Sequence, residues 1–270
     1  MPELPEVETS RRGVAPHIVG SKVSRVVIRE RRLRWPVSRA IDRNLPGQTI
    51  TSVGRRAKYL LINTGRGTAI LHLGMSGSVC VVDVGTPAGI HDHVDVEFDT
   101  GLMLRLRDPR RFGSLHWSRN PLSHRLLRDL GPEPLDDAFD GDYLWRKSRG
   151  RRVSVKQFIM NAHIVVGVGN IYASESLFLA GINPRRAAGR IAKRRYDKCA
   201  DAVKTVLSKA IKAGGTTLRD FYGGNGEAGY FQQQLEAYGR EDEPCRRCNT
   251  PITAIVQGQR ATYYCKRCQT

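Results

Sequence analysis

Residues 93–108, HVDVEFDTGLMLRLRD, decide the architecture of the first half of the chain. Val94, Val96 and Phe98 alternate with Asp95, Glu97 and Asp99, and Leu102, Leu104 and Leu106 do the same against Arg105 and Arg107. A period of two places each apolar set on one face of a strand. With a Gly-bearing break between the two runs, they predict half-buried antiparallel neighbours. Four further short, β-branched segments surround them: KVSRVVIRE (22–30), AKYLLIN (57–63), TAILHLGM (68–75) and GSVCVVDV (77–84). Six such segments divided by turns predict a β-sandwich or flattened barrel. Residues 3–15 depart from this pattern, because Pro5 and the early glutamates suit the first turn of a helix.

The composition changes near LGPEPLDDAFDGDY (130–143), where acidic residues, Pro and Gly mark a boundary. Beyond it the period becomes helical. Cys199, Val203, Val206, Leu207, Ala210 and Ile211 form a stripe that Gly214 and Gly215 end. NIYASESLFLAG predicts a second helix, with Asn170 as its N-cap and Gly181 as its stop. Cys80 and Cys199, each with apolar neighbours, read as buried packing residues. The organisation expected is α+β: an antiparallel β-sandwich at 2–130, a helical domain at 131–235 and a cysteine module at 236–270.

The chain has 270 residues and 44 Lys and Arg against 26 Asp and Glu, a net charge of +18. That excess points to a polyanionic partner. No run of 18 apolar residues and no basic amphipathic helix supports a membrane, and no apolar stretch behind a basic one suggests a secretory signal. A cytoplasmic, reducing location is expected. Cys245-x2-Cys248 and Cys265-x2-Cys268 then have the spacing of a four-thiolate zinc site, closed and therefore structural. Paired disulfides are the alternative, disfavoured in a reducing compartment. Arg246, Arg247, Arg260, Lys266 and Arg267 crowd this module, either as a solvated rim or as phosphate contacts.

Four stretches could carry chemistry. GVGNIYASES (167–176) sets Gly-x-Gly before a helix, where backbone amides meet phosphate, although such turns are common. DPRRFG (108–113) joins Arg110, Arg111 and Phe112 on a loop, and Met75 sits in the turn LGMSG. Core packing or a wedge in a base stack would both account for them. MPELPEVETS opens a basic chain with three glutamates and a proline at position 2. The proline amine, once Met1 is removed, is secondary. With a pKa of about 8, roughly a tenth of it is neutral at pH 7. It can attack a sugar C1′ and pass to an iminium while Glu3 donates a proton. A plain helix start is the alternative, and it is the simpler reading of Glu6 and Glu8.

Taken together, PELPEVETSRRG, RRAKYLL, HLGMSG, HDHVD, DPRRFG, GVGNIYASESLF, GGTTLRDF and PCRRCNTPI…QRATYYCKRCQ resemble the bacterial formamidopyrimidine-DNA glycosylases from residue 2 to 268. The resemblance implies excision of 8-oxoguanine and ring-opened purines from duplex DNA, followed by β,δ-elimination. By it, Pro2 is the Schiff-base nucleophile, Glu3 the acid, Lys58 the β-elimination lysine and Arg260 the δ-elimination base. His91, Arg110, Arg151 and Asn170 match DNA contacts. Met75, Arg110 and Phe112 match the trio that fills the gap left by an everted nucleotide, and Lys156 and loop 216–231 match the region that handles the everted base. It also implies a helix-two-turns-helix, one structural zinc and a monomer at the bacterial nucleoid. An endonuclease VIII-like enzyme for oxidised pyrimidines and a non-catalytic zinc-ribbon nucleic-acid binder are the alternatives.

Overall fold

The computed structural model describes residues 2–214 and 235–270, which fall into two compact units divided after Arg128. Loop 216–231, expected to meet the everted base, lies outside the described residues.

In the first unit, α1 (Leu4–Ile18) precedes eight strands and a short α2 (Arg39–Asn44). β1 (Val23–Ile28), β6 (Asp92–Phe98), β7 (Leu102–Arg107) and β5 (Ser78–Asp83) form one antiparallel sheet, in that order. β2 (Ile50–Arg56), β3 (Tyr59–Thr64), β4 (Gly67–His72) and β8 (Ser114–Ser118) form the other. The two share one core: Ile62, Leu71 and Leu115 join Val94, Val96, Leu104 and Leu106. The alternation of residues 93–108 thus faces inward as expected. α1 packs on β2 and β5, one edge strand from each sheet, and adds Val7, Val14 and Ile18 to the core. Covering an edge in this way removes a site of strand-to-strand association.

The outer face of the first sheet is less open than period two suggests. Asp95 is fully buried and Arg105, its register partner, is 4% exposed. Arg105 donates from Nε and Nη2 to Asp95, and from Nη1 and Nη2 to the carbonyls of Pro87 and Thr86. The 84–91 connection is thereby drawn over the sheet. Cys80 lies half-buried beside Asp92, Arg105 and Asp95, and burial with these carboxylates pushes its thiol pKa up. It is therefore not the apolar packing residue expected, because β5 turns it to the charged face. Cys199 is fully buried, as expected.

The second unit contains α3 (Gly141–Ser148), α4 (Val155–Ile159), α5 (Asn170–Leu179) and α6 (Lys193–Lys212), with the hairpin β9 (Ile252–Gln257) and β10 (Arg260–Cys265). Phe158, Tyr172, Tyr196, Val203 and Leu207 centre its helical core. Between α4 and α5 the chain makes a turn closed by the Ile164 and Val165 amides on the Asn161 carbonyl. Gly169, not Asn170, occupies the N-cap position of α5. Asn170 is the first helical residue, because extended Gly169 already supplies the first capping carbonyl to Ala173. No helix among the described residues is long and apolar enough to cross a membrane.

Candidate active site

The start of α1 is assembled locally. Pro2 is buried and Glu3 is 3% exposed at the N-cap, where Glu3 and Glu6 form a reciprocal capping box. The Glu3 amide donates to Glu6 Oε2 at 2.8 Å. Two carboxylates at the positive end of a helix dipole satisfy its orphan amides and its charge together. Glu8 has a different task. Its carboxylate accepts from Arg11, Arg12 and Arg55 at 2.8–3.3 Å. Burial opposes ionisation of Glu8, but the hydrogen bonds from Arg11 and Arg12 and the charges of Arg11 and Arg55 outweigh it, so its pKa is lowered. Arg55 Nη1 also donates to the Ala57 carbonyl at 2.9 Å. Glu8 thus reaches, through one guanidinium, the β2–β3 turn that presents half-buried Lys58.

Met75 and Phe112 are each partly exposed and Arg110 is exposed. The Arg110 guanidinium lies over the Phe112 ring, 4.8 Å from its centroid. The turn bearing Met75 is held by Gly74, whose amide donates to His72 Nδ1 at 3.0 Å and whose φ is +69°. Burial, with the charges of Lys58 and Arg34, pushes the His72 pKa down to about 4. The ring therefore stays neutral at physiological pH and keeps the lone pair that Gly74 needs. His91 is half-buried at the end of the 84–91 connection, beside Ile90, which is 88% exposed.

In the second unit, the Asn170 amide donates to the Tyr238 hydroxyl at 3.4 Å. Glu175 on the same helix accepts the amides of Glu236, Ala237 and Tyr238 at 2.8–2.9 Å. Its burial pushes its pKa up, against those three bonds. Neither Glu175 nor Tyr238 was distinguished by sequence pattern, since their pairing spans more than 60 residues. Arg151 is exposed after α3, its amide bonded to the Ser148 carbonyl. Lys156 is 1% exposed, and its ammonium donates to the Ala261 carbonyl at 2.8 Å and the Thr262 hydroxyl at 2.7 Å. It therefore braces β10 immediately beside Arg260. Arg260 itself is exposed after a tip whose two residues, Gly258 and Gln259, both have positive φ, as a tight hairpin turn requires.

The four thiols of Cys245, Cys248, Cys265 and Cys268 lie within 4.8 Å of one another. A tetrahedral zinc with bonds of about 2.3 Å sets sulfurs about 3.8 Å apart, so the donor set fits that ion. Among the other bases of the module, Arg247 departs from the phosphate-contact reading. It stacks on the Phe178 ring at 4.5 Å and donates to the Phe178 carbonyl, which ties the module to the end of α5.

Three family matches span the chain. The formamidopyrimidine-DNA glycosylase N-terminal domain covers residues 1–115, the formamidopyrimidine-DNA glycosylase H2TH domain 130–222, and the zinc finger found in FPG and IleRS 242–270. A formamidopyrimidine-DNA glycosylase of Pseudomonas putida is 61% identical over 269 residues, covering 100% of both chains. Among solved structures, MutM (FPG) of Thermus thermophilus is 34% identical with a TM-score of 0.88, covering 99% of this chain and 98% of that one. Lactococcus lactis Fpg in complex with abasic-site DNA is 32% identical with a TM-score of 0.89 and 99% coverage of both. A Lactococcus lactis FPG variant with Fapy-dG DNA reaches a TM-score of 0.91 at 33% identity and full coverage.

Proposed function

Because the chain belongs to the formamidopyrimidine-DNA glycosylase family and is a zinc-bearing DNA glycosylase, we propose which of its residues carry each step on damaged duplex DNA. Neither an endonuclease VIII-like enzyme nor a non-catalytic zinc ribbon is favoured by relatives that match end to end. The observation that carries the proposal is the buried Pro2 held directly ahead of the Glu3–Glu6 capping box.

Pro2 nitrogen, freed by removal of Met1, attacks C1′ of the everted nucleotide. The C1′–N9 bond breaks, and the oxidised purine leaves with a proton supplied through Glu3. The Pro2 N–H proton is lost, and the sugar ring then opens at C1′–O4′ with a proton to O4′, which gives a cationic iminium that acidifies the C2′ hydrogen. Lys58 takes that proton as the 3′ phosphate departs, and Arg260 assists departure of the 5′ phosphate. His91, Arg110, Arg151 and Asn170 contact DNA, with phosphate charge supplying most of the affinity. Met75, Arg110 and Phe112 fill the vacated stack, which offsets an extrusion cost of a few kcal/mol. Lys156 acts on the everted base through β10, given where its ammonium is spent. The four cysteines hold one structural zinc, and the enzyme works as a cytoplasmic, nucleoid-associated monomer organised as a sandwich (2–130), a helical domain (131–235) and a zinc finger (236–270).

Borohydride reduction during reaction with 8-oxoguanine duplex tests the central step. A covalent adduct mapping to Pro2 is expected, and protein retaining Met1 should give none. Glu3→Gln should bind lesion DNA and release no base. An adduct that maps elsewhere, or an unchanged rate for Glu3→Gln, would remove these assignments.

A further inference from the structure

Met75 and the Arg110–Phe112 pair stand on different loops, 73–77 and 108–113, and a buried carboxylate lies between them. Asp108 is fully buried. Its Oδ1 accepts the Ser76 hydroxyl at 3.0 Å, and its Oδ2 accepts the Gly113 amide at 2.7 Å. Ser76 Oγ in turn accepts the Arg110 amide at 3.2 Å. The Asp108 main chain reaches a third segment, donating to the His91 carbonyl at 2.9 Å while its own carbonyl meets His93 Nε2 at 2.8 Å. One residue therefore bonds, directly or one step removed, to the backbone of every loop carrying Met75, His91, Arg110 and Phe112.

The loops have no slack to absorb an error. A Cβ on Gly74 would overlap the Phe112 carbonyl group, and one on Gly113 would sit 2.8 Å from the His72 carbonyl oxygen and 3.0 Å from Asp108 Oδ2. Backbone meets backbone on both sides, so the relative height of Met75 and Phe112 is set by the bonds that join the loops. An ionised carboxylate only accepts, and here a donor faces each oxygen. An amide in its place would have to aim an NH2 group at one of those donors.

We propose that Asp108, acting with Ser76, is a positioning residue that sets both halves of the wedge in one register, so that they enter the base stack together. This inference rests on the glycosylase reading above. A wedge displaced by about 1 Å can slow the step it serves by about 100-fold. The loss should appear where a paired base must be extruded and not where the base is already missing.

The test compares Asp108→Asn, Ser76→Ala and Ser76→Thr with wild-type protein on one duplex carrying either 8-oxoguanine paired with cytosine or a preformed abasic site. Single-turnover excision is followed together with 2-aminopurine fluorescence beside the lesion, and thermal midpoints are recorded. Asp108→Asn and Ser76→Ala are expected to slow excision and the fluorescence change by roughly 10- to 100-fold while abasic-site cleavage stays within about threefold. Ser76→Thr, which keeps the hydroxyl, should restore excision. Ser76→Ala removes only a half-buried hydroxyl and leaves Asp108 its Gly113 bond, so it keeps the test open if Asp108→Asn folds poorly. Equal losses on both substrates that follow the thermal midpoint would overturn the inference, as would no loss on either. Wild-type protein inert on both substrates would instead overturn the glycosylase reading, and this inference with it.

Discussion

The paired loops of the sandwich and the tip of the cysteine hairpin both present cations from short turns, yet they are secured by different means. Loops 73–77 and 108–113 hang from strands whose shared core contains residues from both sheets, α1 and α2. Side-chain bonds then set the register of one loop against the other without having to fold either. Among the described residues, the apolar cluster of the hairpin has five buried members, Phe178, Ala237, Cys245, Ile252 and Cys265, and two of these are metal-ligand cysteines. So small a cluster cannot repay the ordering of a hairpin. Where the core is large, stability is spread over many contacts and losses should be graded. Where it is small, one ion carries the structure and its loss should be complete.

Metal removal gives the largest expected effect. Structural zinc is worth about 10–16 kcal/mol of apparent binding in small finger modules. A strong chelator, or Cys265→Ser, should strip hydrogen-exchange protection from the amides of 245–265 and abolish lesion-DNA binding. The strands between 78 and 107 should keep theirs. A hairpin still protected without metal would break the comparison.

Breaking the buried ion pair of the sandwich should cost less. Arg105→Met leaves Asp95 buried with only Arg29 as a charged partner and frees the Thr86 and Pro87 carbonyls. A loss of about 3–5 kcal/mol is expected in urea unfolding, with the protein still folded in water. Complete unfolding would show the sandwich to be no more graded than the hairpin.

The smallest effect is a pH dependence. His72 has a folded pKa of about 4 against 6.5 for the free group, so the unfolded chain takes up its proton first as pH falls. Its contribution is present in full above pH 6.5 and is lost as pH falls toward 4. His116, lowered to about 4 chiefly by burial, adds in the same direction. Thermal midpoints measured between these limits should fall less steeply for His72→Asn than for wild type. An equal slope would remove His72 from the groups that hold the turn at Gly74 by staying neutral.

How far the sequence reaches is best seen element by element. Residues 93–108 announce their strands because Val, Leu and Phe alternate without interruption. β2 (ITSVGRR) and β8 (SLHWS) do not, since Ser, Gly and Arg dilute the apolar face and register with β3 and β4 decides their state. The cysteine spacing foretells the hairpin, because a metal site requires short fixed intervals. It says nothing about Arg247, whose aromatic partner Phe178 is 69 residues away. In DPRRFG the arginines and phenylalanine stand out as residue types, whereas Asp108 acts through Ser76, 32 residues earlier. Local chemistry is legible in sequence, and chemistry made by two distant partners becomes visible only in the fold.

Glu8 carries one such partnership to a different end. Three guanidinium groups share its carboxylate, and one of them, Arg55, fastens the turn before Lys58. Any lineage that replaces this glutamate by a neutral residue leaves three guanidinium groups facing one another without the carboxylate they share. Such a change should survive only when Arg55 changes with it, which makes the two positions a single inherited unit although 46 residues separate them along the chain.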